Sequence, residues 1–189
     1  MLLDGRIYVA GGLGRNGDVN ALEIYDPGKD KWLVGKPMPS HREAGGAAAN
    51  GIFYLIGGYA GGGMSCAGHV EAYDPKANTW TTKDPIRGDI RSPTTLCGVF
   101  SVVAMDGLLY MAGGTEPTRH TNEGLYAYDP LTGNWRQGAR MPIGRGNIAL
   151  ATYDHRLYIF GGVDNRSDLL SSVEAYDPKA DAWDEKTQA

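Results

Sequence analysis

Four short apolar runs, each closed by two glycines, punctuate the chain: RIYVAGG (6–12), IFYLIGG (52–58), LLYMAGG (108–114) and LYIFGG (157–162). They are rich in β-branched and aromatic residues and bounded by glycine, so each predicts a buried strand. Asp4-Gly5, Asn50-Gly51 and Asp106-Gly107 precede three of them, dipeptides that favour two-residue hairpin turns; Asp154-His155 stands before the fourth and is a weaker turn signal. Upstream of these turns lie the small-residue strands AGGAAA (44–49), VFSVVA (99–104) and NIALATY (147–153). Downstream of each glycine pair, a polar loop leads into a strand that ends at Tyr-Asp-Pro, where proline cannot continue the ladder. The strand after that carries a tryptophan. No helical period occurs anywhere.

The unit repeats. The phrases YDPGKDKW (25–32), YDPKANTW (73–80), YDPLTGNW (128–135) and YDPKADAW (176–183) keep Tyr and Trp seven residues apart. The tyrosines are spaced 48, 55 and 48 residues, so one unit of about 48 residues recurs four times with an insertion after the second copy. Each unit predicts a four-stranded antiparallel sheet. The count is 15 strands, because the first unit lacks its first strand.

A four-stranded unit at this period resembles the kelch β-propeller repeat. The Gly-Gly pair, the Tyr 13 to 15 residues beyond it, the Trp seven further on and the steps Met38-Pro39 and Met141-Pro142 carry the resemblance. It implies an all-β propeller segment with blades near 1–37, 38–85, 92–140 and 141–189. Kelch rings of about six blades need roughly 290 residues at ~50 per blade, so the expectation is part of a larger ring. A closed four-bladed ring is the alternative. The regular spacing and the "MP…R" connections look most like BTB-kelch proteins. That likeness implies a protein-binding face and a link to a cullin-type ubiquitin ligase through a domain absent from these residues.

Charge and composition narrow the functions. The net charge of −4 gives no support to phosphate-driven nucleic-acid binding. No apolar stretch approaches a membrane span, and the N-terminus lacks the basic and apolar regions of a leader, so a cytoplasmic location is expected. Cys66 and Cys97 are too few for a disulfide framework and read as two buried thiols. The four histidines have no metal-ligand spacing, no cofactor is implied, and no catalytic constellation stands out.

Repetition also separates scaffold from site, since one-off chemistry must come from residues that differ between copies. Glu23, Glu71 and Glu174, each two before the Tyr, read as structural acceptors. What varies is the set of loops after Gly-Gly (13–20, 59–69, 115–124, 163–172) and the connections between blades (36–43, 81–98, 139–147), which share one end of the sheets. Arg15, Arg42, Arg87, Arg91, Arg119, Arg145 and Arg166 fall there, with Asn147. Arginine suits carboxylate recognition and protein hot spots, so these eight residues are the candidate partner-binding set for a protein or peptide ligand. By likeness to the family, Arg145 occupies the arginine register of the inter-blade connection, and His41 occupies that register one blade earlier, with Arg42 beside it. The long connection 81–98 is the length anomaly and a candidate binding loop. Two other readings stay open: a carbohydrate-active propeller enzyme of the sialic-acid mutarotase type, and an actin- or cytoskeleton-binding kelch protein.

Overall fold

A computed structural model describes residues 1–60, 65–66, 68–83, 100–115 and 120–186. It holds four antiparallel sheets, one per repeat. Blade 1 contains β1 (Leu2–Leu3), β2 (Arg6–Ala10), β5 (Leu22–Asp26) and β6 (Lys31–Val34), with the hairpin β3 (Leu13–Gly14) and β4 (Gly17–Asp18) in its loop. Blade 2 contains β7 (Arg42–Ala49), β8 (Ile52–Ala60), β10 (Val70–Asp74) and β11 (Thr79–Lys83), with β9 (Ser65–Cys66) paired to the end of β8. Blade 3 is β12 (Ser101–Met105), β13 (Leu108–Ala112), β14 (Leu125–Tyr128) and β15 (Trp135–Gln137). Blade 4 is β16 (Ala149–Tyr153), β17 (Arg156–Phe160), β18 (Val173–Asp177) and β19 (Ala182–Lys186).

The first blade does have its first strand, contrary to the sequence count. Leu2 pairs with Ile7 and Leu3 with Arg6, and the Tyr8 amide donates to the Met1 carbonyl at 2.7 Å. Two residues before a turn are too few to show any alternation, which is why the pattern missed it.

The turns follow from local backbone chemistry. Asn50 and Gly51 link Ala49 to Ile52 with φ of 53° and 77°, the two positive angles of a tight hairpin turn. His155 does the job of glycine in blade 4 at φ 56°, beside Asp154 at 48°. Its ring Nδ1 lies 2.8 Å from Asp106 Oδ1 in the equivalent turn of blade 3.

Alternation along the strands supplies one apolar row per sheet face, and the rows meet between blades. Tyr8, Leu22 and Ile24 of blade 1 pack on Phe53, Leu55 and Tyr73 of blade 2. Tyr54, Ile56 and Ala72 pack on Leu109, Met111 and Tyr128 of blade 3. Tyr110, Ala112 and Ala127 pack on Leu157, Ile159 and Tyr176 of blade 4. Gly45 lets blades 2 and 3 approach: a Cβ there would stand 2.5 Å from the Phe100 carbonyl oxygen.

Candidate functional site

The up-and-down strands place the Asp-Gly and Tyr-Asp-Pro turns at one end of the sheets and the variable loops at the other. That loop end is anchored to the blades by main-chain bonds. Met38, 2 % exposed, donates its amide to the Asn20 carbonyl at 2.8 Å, and Met141 donates to Glu123 at 2.8 Å. The second glycine of two pairs reaches the next blade: Gly12 N–H donates to the Arg42 carbonyl at 3.2 Å, and Gly114 N–H to the Arg145 carbonyl at 3.1 Å. A Cβ on Gly11 or Gly113 would run into those same two carbonyl oxygens. The glycine pairs of blades 1 and 3 are therefore spacers between neighbouring blades.

Arg42 and Arg145 are themselves fully buried, each at 0 % exposure. Arg42 Nη1 donates to the Gly57 carbonyl at 2.9 Å, and its Nη2 stands 3.1 Å from Glu71 Oε2. That last contact is an ion pair without hydrogen-bond angles, since Oε2 accepts no bond. Arg145 Nη1 donates to the Gly161 carbonyl at 3.1 Å, and its Nη2 donates to Glu174 Oε1. Each arginine precedes its glutamate by 29 residues. The same construction in two blades makes it scaffold: the guanidinium ties the glycine-pair carbonyl, the connection and the third strand together.

This burial corrects two sequence expectations. Arg42 and Arg145 present no surface to a partner, because both side chains are fully buried inside the blade. Arg42, not His41, also shares the register of Arg145. The pairing of β7 with β8 shifts between Glu43 and Gly45, so counting back from the Asn50 turn loses one residue. The acceptor role expected of Glu71 and Glu174 holds, both being buried. Glu23, at the same register of blade 1, is exposed.

Blade 2 adds groups that blade 4 lacks. Glu71 Oε1 accepts from Ser40 Oγ at 2.9 Å and faces His69 Nε2 at 3.2 Å. At the His69 register blade 4 has Ser172, whose Oγ accepts from Arg145 Nη1 at 3.0 Å. Burial pushes the Glu71 carboxyl up, but the His69 hydrogen bond, the Arg42 charge and the Ser40 hydroxyl outweigh it and hold the pKa below its ordinary value. The His69 side chain is about one-third exposed, at 32 %, while Glu71 is at 1 %. The cluster is thus a buried carboxylate with one imidazole at the loop surface.

The remaining candidates divide. Arg15 is exposed at the tip of the β3–β4 hairpin, and Asn147 is exposed at φ 53°. Arg166 is exposed in a turn where Asp164 Oδ1 accepts its amide at 2.8 Å. Arg87, Arg91, Arg119 and most of the 81–98 connection lie outside the described residues, as does Cys97. Sequence reading missed the buried Arg–Glu pairing and the Ser40–His69–Glu71 cluster. The repeated 29-residue interval from Arg to Glu was the available signal.

Comparisons with known proteins agree with this architecture. The KLHDC2/KLHL20/DRC7 Kelch-repeats domain matches residues 47–189, and the Kelch motif matches 2–39. Mouse Kelch-like protein 35 is 28 % identical over 178 residues, which cover 93 % of this chain and 28 % of that protein. Mouse Kelch-like protein 23 is 28 % identical over 185 residues, 96 % of this chain and 31 % of that one. Kelch-like protein terF of Aspergillus terreus is 28 % identical over 200 residues, covering 96 % and 42 %. The chain thus spans less than half the length of these relatives. The solved structure of YjhT superposes with a TM-score of 0.79 at 18 % identity, covering all of this chain and 64 % of that one, which shows a shared fold.

Proposed function

Because the chain belongs to the kelch-repeat family, we propose that its loop end binds a protein or peptide, as the substrate-recognition module of a cullin-type ubiquitin ligase adaptor. The observation that carries the reading is the division of the candidate polar residues at that end. Arg42 and Arg145 are consumed by the scaffold, whereas Arg15, Asn147 and Arg166 stand exposed on loops. Exposed arginines on a rigid scaffold suit a carboxylate-bearing segment, held by paired N–H donors. Likeness to Kelch-like proteins over nearly the whole chain supports a binding role. The ligase assignment rests on that resemblance and on a domain outside these residues.

The test is affinity capture with the full-length gene product. Co-purification of a cullin supports the adaptor role, and its absence from a capture that retains other partners counts against it. Arg15→Ala, Asn147→Ala and Arg166→Ala together should release the captured partner while leaving the thermal melt within a degree or two. Retained capture would place the binding surface elsewhere.

One observation favours a second reading, a carbohydrate-active enzyme. Among the described residues the Ser40–His69–Glu71 cluster occurs in blade 2 alone, and it offers an oriented imidazole at the loop surface. Against it, Glu71 is held by Arg42 as Glu174 is by Arg145, a pairing that serves structure in both blades. Anomer exchange of a sialic acid followed by NMR, with His69→Gln as control, separates the two readings.

A further inference from the structure

Blade 3 departs from blades 1 and 4 at one register, at the end of the sheets that carries the Asp-Gly and Tyr-Asp-Pro turns. In blades 1 and 4 the strand after the first turn opens on an arginine that pairs with the aspartate of Tyr-Asp-Pro. Arg6 Nε donates to Asp26 Oδ2 at 3.3 Å, and Arg156 Nη2 donates to Asp177 Oδ2 at 3.0 Å. Blade 3 has Leu108 where those arginines stand, opposite Asp129. Leu108, Ala127, Asp129, Thr132, Asn134 and Arg136 line a cavity of about 280 Å³ at that position.

The cavity joins a carboxylate to the aliphatic walls of Leu108 and Ala127. Asp129 Oδ1 accepts the Leu131 amide at 2.9 Å, and Oδ2 accepts Thr132 Oγ1 at 2.8 Å. A carboxylate oxygen can accept two donors, so Oδ2 keeps room for a second. It is the same atom that receives an arginine in the other two blades. Among the described residues no cation pairs with this carboxylate. Arg136 is committed elsewhere: its Nη2 donates to the Tyr110 hydroxyl at 2.7 Å, and its head lies 5.9 Å from the centre of that ring.

We propose that this cavity binds the guanidinium of an arginine side chain carried by a polypeptide partner, in the place that Arg6 and Arg156 fill in their own blades. A guanidinium suits the site better than an ammonium. Its planar face and stem pack on Leu108 and Ala127 while its edge donates to Asp129. The volume matches one side chain, being just below the range of pockets that enclose whole small molecules. The site is at the opposite end of the sheets from Arg15, Asn147 and Arg166, so it is independent of the loop-end reading.

Saturation-transfer NMR on the full-length protein reads binding of the probe acetyl-Gly-Arg-Gly-amide. Asp129→Asn should weaken it roughly tenfold or more, the worth of a charge-assisted hydrogen bond. Leu108→Arg should abolish it, because the new side chain pairs with Asp129 as Arg156 does with Asp177. Should Asp129→Asn lower the thermal melt, Leu108→Arg carries the test, since it leaves the Tyr-Asp-Pro turn intact. Asp74→Asn, at the same register of blade 2, should leave binding unchanged. Arg136→Gln keeps a donor for Tyr110 and removes a positive charge, so binding should hold or tighten. Binding that survives both Asp129→Asn and Leu108→Arg, or that is lost on Arg136→Gln, overturns the proposal. So does a parent protein that gives the probe no signal, or one that binds acetyl-Gly-Lys-Gly-amide equally well.

Discussion

The Trp183 indole N–H donates to the Ala139 carbonyl at 2.8 Å, while the Ala139 amide donates back to Asp181 Oδ1 at 2.7 Å. Trp80 and Lys36 repeat the exchange at 2.7 Å, with Asn78 as the returning acceptor at 2.8 Å. Two residues of the repeated phrase from Tyr to Trp thus clasp the connection that leaves the preceding blade. Among the described residues the clasp is made at two interfaces, between blades 1 and 2 and between blades 3 and 4.

Trp183→Phe keeps most of the stacking on Tyr176 but deletes the donor, leaving the Ala139 carbonyl without it. A lost hydrogen bond of this kind costs about 1–2 kcal/mol. Trp32→Phe removes an indole that is 59 % exposed and should change stability by no more than ~0.5 kcal/mol. Urea unfolding of both variants checks the contrast. Equal losses would mean that the clasp contributes nothing beyond aromatic packing.

The buried pair predicts an asymmetric response. Arg145→Met strands the Glu174 carboxylate inside blade 4 and should cost about 3–5 kcal/mol, as breaking a buried pair does. Adding Glu174→Leu should recover most of that loss, since the uncompensated charge is then gone. Chemical denaturation of the single and double variants gives the coupling directly. An Arg145→Met protein as stable as the parent would show that the pair is solvated.

How far the sequence could be read depends on how local the information is. Turn dipeptides, glycine pairs and strand alternation are local, and they placed four sheets. Leu2–Leu3 was lost because a two-residue strand has no period to detect. Arg42 and Arg145 were misread for a different reason. Arginine in a variable loop defaults to the surface, and only the glutamate 29 residues downstream, brought beside it by strand pairing, draws it inside. Burial of a charge is a property of the pair, and pairs distant in sequence are not visible to a local pattern. Arg15, Asn147 and Arg166 are exposed, as their loop positions suggest, because no buried carboxylate draws them inside.

The pH dependence follows from Glu71. Its carboxyl is held below its ordinary value in the folded chain, chiefly by the His69 hydrogen bond and the Arg42 charge working against burial. A depressed carboxylate pKa stabilises the fold above the unfolded value, about 4.3, and the contribution disappears as pH falls through the folded value. The stability gap between the parent and Glu71→Gln should therefore be constant near neutrality and shrink below about pH 4.3. Urea midpoints measured from pH 7 down to the acid transition test this. A gap that stays constant into acid would mean that charge at Glu71 is irrelevant to the fold.

The spacing between blades makes the last prediction. Gly45 lies on β7, where a Cβ would stand 2.5 Å from both the Phe100 carbonyl oxygen and Val102 Cγ2 of blade 3. Its backbone angle is one that any residue adopts, so Gly45→Ala carries no turn strain and tests close approach alone. Backbone cannot yield as a flexible side chain does, so blades 2 and 3 must separate, at about 1–3 kcal/mol for an overpacked site. Gly51→Ala is the matched control: nothing stands within 4 Å, but φ of +77° adds backbone strain. Calorimetry of the two variants separates crowding from strain. Because the Tyr54–Tyr128 contact, 6.4 Å between rings, spans the same interface, Gly45→Ala should also perturb near-ultraviolet circular dichroism while Gly51→Ala leaves it unchanged.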